Sequence, residues 1–137
     1  MRAYLFGNLY LSSIQQGIQA LHCTTEMFLK YLPHTEEAGP LYDWALNYKT
    51  TILLNGGNST ELYSIRYHFE QEENPYPFAM FEESVDALSG AVTCVGIILP
   101  EKIYTAAEEI RNDIGYHRLS IWERELCEIL NSCGLAR

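Results

Sequence analysis

The feature that most constrains the fold is the segment AVTCVGIIL at residues 91–99. It is the most apolar stretch of the chain, and Pro100 follows it directly. A short apolar run that stops at a proline is typical of a strand buried on both faces. Because such a strand needs apolar cover above and below, this segment predicts a sheet that packs against helices.

The rest of the chain alternates between strand and helix patterns. Strands are predicted over residues 3–10, 50–54, 76–81 and 91–99, and helices over 13–32, 40–48, 58–69, 101–114 and 120–132, with a turn or short helix over 84–90. Capping boxes mark helix starts at Ser12 or Ser13, at Asn58 and at Ser120. The order β-α-α-β-α-β-β-α-α predicts one α/β domain over residues 1–137, with a mixed sheet of about four strands and helices on both faces.

The first helix carries two parallel stripes of side chains. One stripe is apolar, and its helical spacing predicts the face that packs on the sheet; it consists of Ile14, Ile18, Leu21, Thr25, Phe28 and Leu32. Beside it run Gln15, Gln19, His22 and Glu26, spaced by four, three and four residues. This polar stripe either lines a binding site or is a solvated helix flank.

The charge balance bears on the choice of partner. Nine basic and eighteen acidic residues give a net charge of −9. Because phosphate neutralisation by Lys and Arg supplies most non-specific affinity for nucleic acids, a nucleic-acid partner is disfavoured. Only one neighbourhood collects several basic side chains: Arg111, His117, Arg118 and Arg124.

Cysteine usage and hydropathy predict a cytoplasmic protein, in the host cytoplasm if the chain is viral. The four cysteines form no CxxC pair and have no zinc spacing with the histidines, so no metal site and no cofactor is expected. Thiols of this kind are typical of a reducing compartment. No apolar run approaches the roughly 18 residues of a membrane span, and the N-terminus does not have the pattern of a signal peptide.

Two motifs in this layout resemble the type 2 peptidyl-tRNA hydrolases of archaea and eukaryotes. The segment Gln19-Ala20-Leu21-His22-Cys23 keeps the glutamine and histidine of that family's first helix, and Gly90-Ala91-Val92-Thr93 keeps the Gly-x-x-Thr before its last core strand. Trp44, Lys49 and the pair Glu61-Leu62 are also similar, and the likeness covers residues 3–100. The resemblance implies the same fold, with residues 101–137 as additional C-terminal helices, and it implies that a homodimer can form.

The departures from the family pattern fall on its chemistry. Gln15 stands where the family has the lysine implicated in hydrolysis, and Phe81 stands where it has its catalytic aspartate. A shift of one residue would let Glu82 replace that aspartate, with His22 as its partner. Glutamine supplies neither the charge nor the proton of a lysine. The resemblance therefore implies a member that has lost catalysis, with peptidyl-tRNA hydrolysis through His22 and Glu82 as the alternative.

A compact acidic chain of this kind also resembles small accessory proteins of tailed bacteriophages. The function predicted first is non-catalytic binding of a small nucleotide-like molecule, which would sequester a nucleotide-derived immune signal. The predicted ligand-binding residues are Gln15, Gln19, His22, Asn55, Gly56, Gly57, Asn58 and Thr93. A further alternative is an acidic protein-interaction module that inhibits a host factor. Its mark would be an exposed apolar stripe on the C-terminal helices, formed by Trp122, Leu126, Ile129 and Leu130, whereas the other reading is that these residues pack on the domain itself or on a second copy of it.

Overall fold

A computed structural model describes residues 1–33, 35–36, 38–114 and 118–136 of the chain. Four strands form one mixed sheet: β1 (Arg2–Gly7), β2 (Thr51–Asn55), β3 (Phe78–Glu82) and β4 (Val92–Leu99). Their order is β2-β1-β4-β3, in which β1 pairs parallel with β2 and antiparallel with β4, and β3 pairs antiparallel with β4. The predicted α/β class with a four-strand mixed sheet is confirmed.

Helices cover both faces of this sheet. Within the described residues they are α1 (Ser13–Lys30), α2 (Ala38–Asp43, which continues into a π-helical turn at Trp44–Tyr48), α3 (Ser59–Phe69), α4 (Val85–Leu88), α5 (Glu101–Arg111) and α6 (Ile121–Ser132). All eight residues of β4 are buried, as predicted for the apolar segment 91–99. Capping boxes begin α1 at Ser12, α3 at Asn58 and α6 at Ser120, where the backbone would otherwise leave N–H groups unsatisfied.

Successive side chains of a strand point to opposite faces of the sheet, so the core consists of two clusters, one on each face. Tyr4 and Phe6 of β1 pack with α3, α5 and α6, whereas Ala3 and Leu5 pack with α1 and α2. The sheet therefore lies between two helical layers.

The C-terminal helices belong to the first of these layers. Trp122, Leu126 and Leu130 are buried, and Ile129 is half-buried against the same cluster. The hypothesis that these four residues form an exposed stripe for a partner is therefore wrong, because they cover α3, α5 and the sheet. The segment after α6 also covers the edge of β2, where the Asn55 amide donates to the Gly134 carbonyl at 2.8 Å and the Ala136 amide donates to Leu53 at 3.0 Å.

The first helix packs on the sheet through the side opposite to the one predicted. Its sheet-facing side chains are Gln16, Gln19, Ala20, Cys23 and Met27, whereas the stripe expected to be buried largely faces solvent. The reason lies in β4, where a Cβ on Gly96 would fall 2.5 Å from Leu5 Cδ2 and 3.1 Å from Cys23 Sγ. The glycine therefore leaves room for Cys23 and Met27 of α1 to lie directly over the strand.

Leu126 tests whether α6 is part of the core. It is fully buried, so Leu126→Ala should lower the free energy of unfolding by about 2–5 kcal/mol through lost burial and a residual cavity. The matched control on the same helix is Ile121→Ala, which removes a side chain that is 80% exposed and should change stability by less than about 0.5 kcal/mol. Urea denaturation measures both, and equal effects would contradict this packing.

A histidine–tryptophan pair joins α3 to α6. The His68 and Trp122 rings stack with centroids 4.6 Å apart and planes 6° apart. Trp122 Nε1 donates to the His68 carbonyl at 2.8 Å, and His68 Nε2 donates to the Trp122 carbonyl at 3.1 Å. Burial lowers the pKa of His68, although the Trp122 carbonyl and the nearby Glu125 carboxylate oppose that shift.

This lowered pKa predicts an acid-sensitive stability. The unfolded chain takes up a proton at His68 near the ordinary histidine pKa of about 6.5, whereas the folded chain resists it. The free energy of unfolding should therefore fall as the pH drops below about 6.5. In His68→Phe, which keeps an aromatic ring against Trp122, that fall should be smaller. Denaturant titrations at several pH values compare the two proteins, and parallel curves would contradict the assignment.

Candidate functional site

The predicted site residues gather at one edge of the sheet. The carboxyl ends of β1, β2 and β3 and the start of β4 meet there, as follows from the strand directions. From this edge α1 leaves β1 on one face, and α3 leaves β2 on the other. In α/β sheets, the point where successive connections diverge to opposite faces is where ligands most often bind.

A buried polar network links α1 to two strands at this edge. The Thr93 hydroxyl donates to Gln19 Oε1 at 2.7 Å, and Gln19 Nε2 donates to Glu83 Oε2 at 3.2 Å. Thr93 is 1% exposed and Gln19 is 9% exposed. The family resemblance singled out Gln19 and Thr93 from distant parts of the sequence, and the structure brings them into contact. Sequence reasoning did not place Glu83 in the site.

A β-bulge turns Thr93 toward α1. Phe81 pairs with Cys94, but Glu82 pairs with Val92, so Thr93 has no partner of its own on β3. Cys94 packs on the α1 side and Val92 on the α3 side. The extra residue allows Thr93 to share the side of Cys94, which strict alternation would forbid. Bulges that re-aim a side chain are frequent beside functional sites.

His22 lies next to this network, one helical turn beyond Gln19. Its ring meets the Phe81 ring edge to face, with centroids 4.6 Å apart. The Nδ1 atom is buried and has no hydrogen-bond partner among the described residues. A buried ring nitrogen without a partner is uncommon in folded proteins, and a small polar molecule could satisfy it.

Glu82 is not a partner of His22. Its carboxylate forms an ion pair with Arg66 of α3, which also binds Glu70 at 2.9 Å. Phe81, which contacts His22, packs on the α1 side. The structure therefore separates the two residues of the predicted hydrolase pair, because consecutive residues of a strand point to opposite faces of the sheet.

The other members of the polar stripe on α1 are not part of the network. Gln15 is exposed, and its Oε1 accepts from the Ser12 amide at 3.0 Å within the capping box. Glu26 is also exposed. Of the four residues, the structure brings only Gln19 and His22 to the buried edge.

The predicted loop at Asn55–Asn58 satisfies its own polar groups. Asn55 Oδ1 accepts from the Gly57 amide at 2.9 Å, and Glu61 Oε2 accepts from the Asn58 amide at 2.7 Å. A helix N-terminus attracts anions, but here the Glu61 carboxylate already occupies that position. Gly56 and Gly57 line a separate cavity of about 460 Å³ between α3 and the end of α6.

Asn8 connects the loop to the network and was missed by sequence reasoning. It is 6% exposed. Its backbone N–H donates to the Thr93 carbonyl at 3.3 Å, and its side-chain Nδ2 donates to Ser59 Oγ at 3.3 Å. The signal in the sequence is a single asparagine directly after a buried strand. Asn8 therefore contacts both Thr93, which bonds to Gln19 of α1, and Ser59 at the start of α3.

The electrostatics of the network are mildly acidic. Glu83 contributes one carboxylate, and no described lysine or arginine hydrogen-bonds to Gln19, Glu83 or Thr93. Across the described ranges, no three His, Cys, Asp or Glu side chains are arranged to hold a metal ion. Arg111, Arg118 and Arg124 are exposed, and His117, the fourth residue of the basic neighbourhood, lies outside the described residues.

None of the described helices is long and apolar enough to cross a bilayer. No protein-family model matches the chain, and no curated protein is significantly similar to it. The resemblance to type 2 peptidyl-tRNA hydrolases therefore stays a prediction.

Thr93 tests how much the network contributes to folding. Thr93→Val keeps the shape of the side chain but leaves Gln19 Oε1 buried without its donor, so the free energy of unfolding should fall by about 1–3 kcal/mol. The exposed Thr105 on α5 provides the control, since Thr105→Val should change stability by less than about 0.5 kcal/mol. Thermal and urea denaturation measure both variants, and a neutral Thr93→Val would contradict a structural role for this hydrogen bond.

Proposed function

We propose that this chain is a non-catalytic binding protein that holds a small nucleoside-like ligand against Gln19, His22, Glu83 and Thr93. The observation that supports it is the polar network at the sheet edge, next to a histidine nitrogen that has no hydrogen-bond partner in the part of the chain that the structure describes. Groups fixed in this way lose little freedom when a ligand arrives, which favours affinity.

The side chains select a particular ligand chemistry. Glu83 offers carboxylate lone pairs to hydroxyl donors, and Gln19 Nε2 has a second N–H beyond the one that Glu83 accepts. A carboxylate that accepts from sugar hydroxyls is a common way to bind ribose. Phosphate groups would extend away from this position, because a carboxylate lies here and the chain carries a net charge of −9.

Binding without turnover suits sequestration. The biological role we propose is that of a bacteriophage protein that withdraws a nucleotide-derived signal from a host defence system. Such a role needs affinity and abundance, and it needs neither a nucleophile nor a general base.

Peptidyl-tRNA hydrolysis is less well supported. Its proposed pair, His22 and Glu82, is divided by the sheet, and Glu82 is bound to Arg66. Glu83 is a carboxylate on the His22 side, but no lysine among the described residues hydrogen-bonds to it.

The proposal predicts a ligand that co-purifies with the chain. Native mass spectrometry should find a stoichiometric nucleoside-containing adduct, and denaturation should release it unmodified. In His22→Ala and in Glu83→Gln, affinity for the released molecule should fall at least about tenfold, which corresponds to the loss of one good hydrogen bond to a charged or buried group.

Glu82→Gln is the matched control, because it changes the neighbouring carboxylate on the other face of the sheet and should leave affinity unchanged. Equal losses in Glu82→Gln and Glu83→Gln would contradict the proposed site. If instead a peptidyl-tRNA analogue released free tRNA and Glu82→Gln abolished that release, the hydrolase would replace the binding protein.

A further inference from the structure

A second cavity lies on the α5 and α6 side of the sheet, on the opposite face from α1. Its volume is about 380 Å³, which is within the usual range for small-molecule sites. Its floor is apolar and consists of Ile52 and Leu54 of β2, Ala107 of α5 and Leu130 of α6. The segment after α6, which pairs with the edge of β2, forms one wall. The cavity is thus separate from the proposed nucleoside site, none of whose residues lines it.

Two arginines line this cavity. Arg2 begins β1, and Arg111 ends α5. The guanidinium carbon of Arg2 lies 4.0 Å from the centre of the Tyr104 ring, and the Tyr4 hydroxyl is a hydrogen-bond partner of the same guanidinium. The ring and the hydroxyl hold the group in place, so it would lose little freedom when a ligand binds. Because a guanidinium has five N–H donors, several stay free for that ligand.

Neither arginine is neutralised by a carboxylate in contact with it. Within the described residues no ion pair involves Arg2 or Arg111, in contrast to Arg66, which contacts two glutamates. This is unexpected in a chain with 18 acidic and 9 basic residues. Glu108 also lines the cavity and acts on Arg2 from a greater distance. Two positive charges and one negative charge leave the cavity with an excess of one positive charge.

We propose that this cavity binds a small carboxylic acid with an apolar body, in its ionised form. A planar guanidinium matches a carboxylate through two parallel N–H···O bonds. The body of the ligand lies on the apolar floor, where burial of its surface adds affinity. A single negative charge complements the excess positive charge of the cavity, whereas a phosphate dianion would also be repelled by Glu108. This site is on the other face of the sheet from the proposed nucleoside site and does not depend on it.

Three probes with the same ring system test the ligand class. Isothermal titration calorimetry of the wild-type chain with naphthoate should show saturable binding, with a dissociation constant of about 100 µM or lower. The uncharged naphthamide should bind at least about tenfold more weakly, because it lacks the charge-assisted hydrogen bonds. Naphthyl phosphate should bind no more tightly than naphthoate. Absence of saturable naphthoate binding, equal binding of the amide, or tighter binding of the phosphate would overturn the proposal.

Charge variants then test the position of the site. Arg111→Gln removes one guanidinium and should raise the dissociation constant for naphthoate at least about tenfold. Glu108→Gln removes the opposing carboxylate and should lower it about threefold. Arg124→Gln is the matched control, because Arg124 is exposed on α6 and does not line the cavity, so affinity should not change. All three side chains are exposed, and circular dichroism checks that the variants fold. Equal losses in Arg111→Gln and Arg124→Gln, or no loss in Arg111→Gln, would overturn the assignment.

Discussion

The close approach of α1 to β4 at Gly96 determines much of the rest of the structure. A Cβ at position 96 would fall 2.5 Å from Leu5 Cδ2 on β1 and 3.1 Å from Cys23 Sγ on α1, so the glycine allows the helix to pack closely on the strand. The side of the helix that packs there consists of Gln16, Gln19, Ala20, Cys23 and Met27. Two consequences follow on the same helix. Gln19 reaches the sheet edge, where it meets Thr93, and the large aliphatic residues turn outward. The candidate site and the exposed stripe therefore share one steric cause.

Burying glutamine side chains on the packed side of a helix costs free energy unless their polar atoms find hydrogen-bond partners. Most of these polar atoms on α1 have such partners. Gln19 bonds to Thr93 and Glu83, and Gln16 donates through Nε2 to the Leu11 carbonyl at 2.9 Å. Gln16 Oε1, however, is buried without a hydrogen-bond partner among the described residues and lies 3.0 Å from where a Cβ on Gly7 would be. A buried polar atom left in this way lowers stability.

What could be predicted from the sequence was local. The burial of β4 follows from its apolar run, and the helix starts at Ser12, Asn58 and Ser120 follow from side chains three residues apart. The orientation of α1 was not predictable, because its apolar periodicity is real but the fit of the helix depends on a glycine more than sixty residues away. The role of Glu83 was not predictable either, because its contact with Gln19 depends on a bulge at Thr93 that no local sequence pattern indicates.

The two sides of the sheet differ in the size of the apolar cluster that they bury. The side of α3, α5 and α6 holds the larger apolar cluster, with the phenylalanine pair Phe6 and Phe69 and the stack of His68 on Trp122. That layer can supply most of the folding free energy, because stabilisation scales with the apolar area buried. The α1 side holds the smaller apolar cluster, and it carries both the polar network and the exposed apolar side chains of α1. One helix thus contributes Gln19 to the buried network and leaves Ile14, Leu21 and Leu29 exposed on its opposite side.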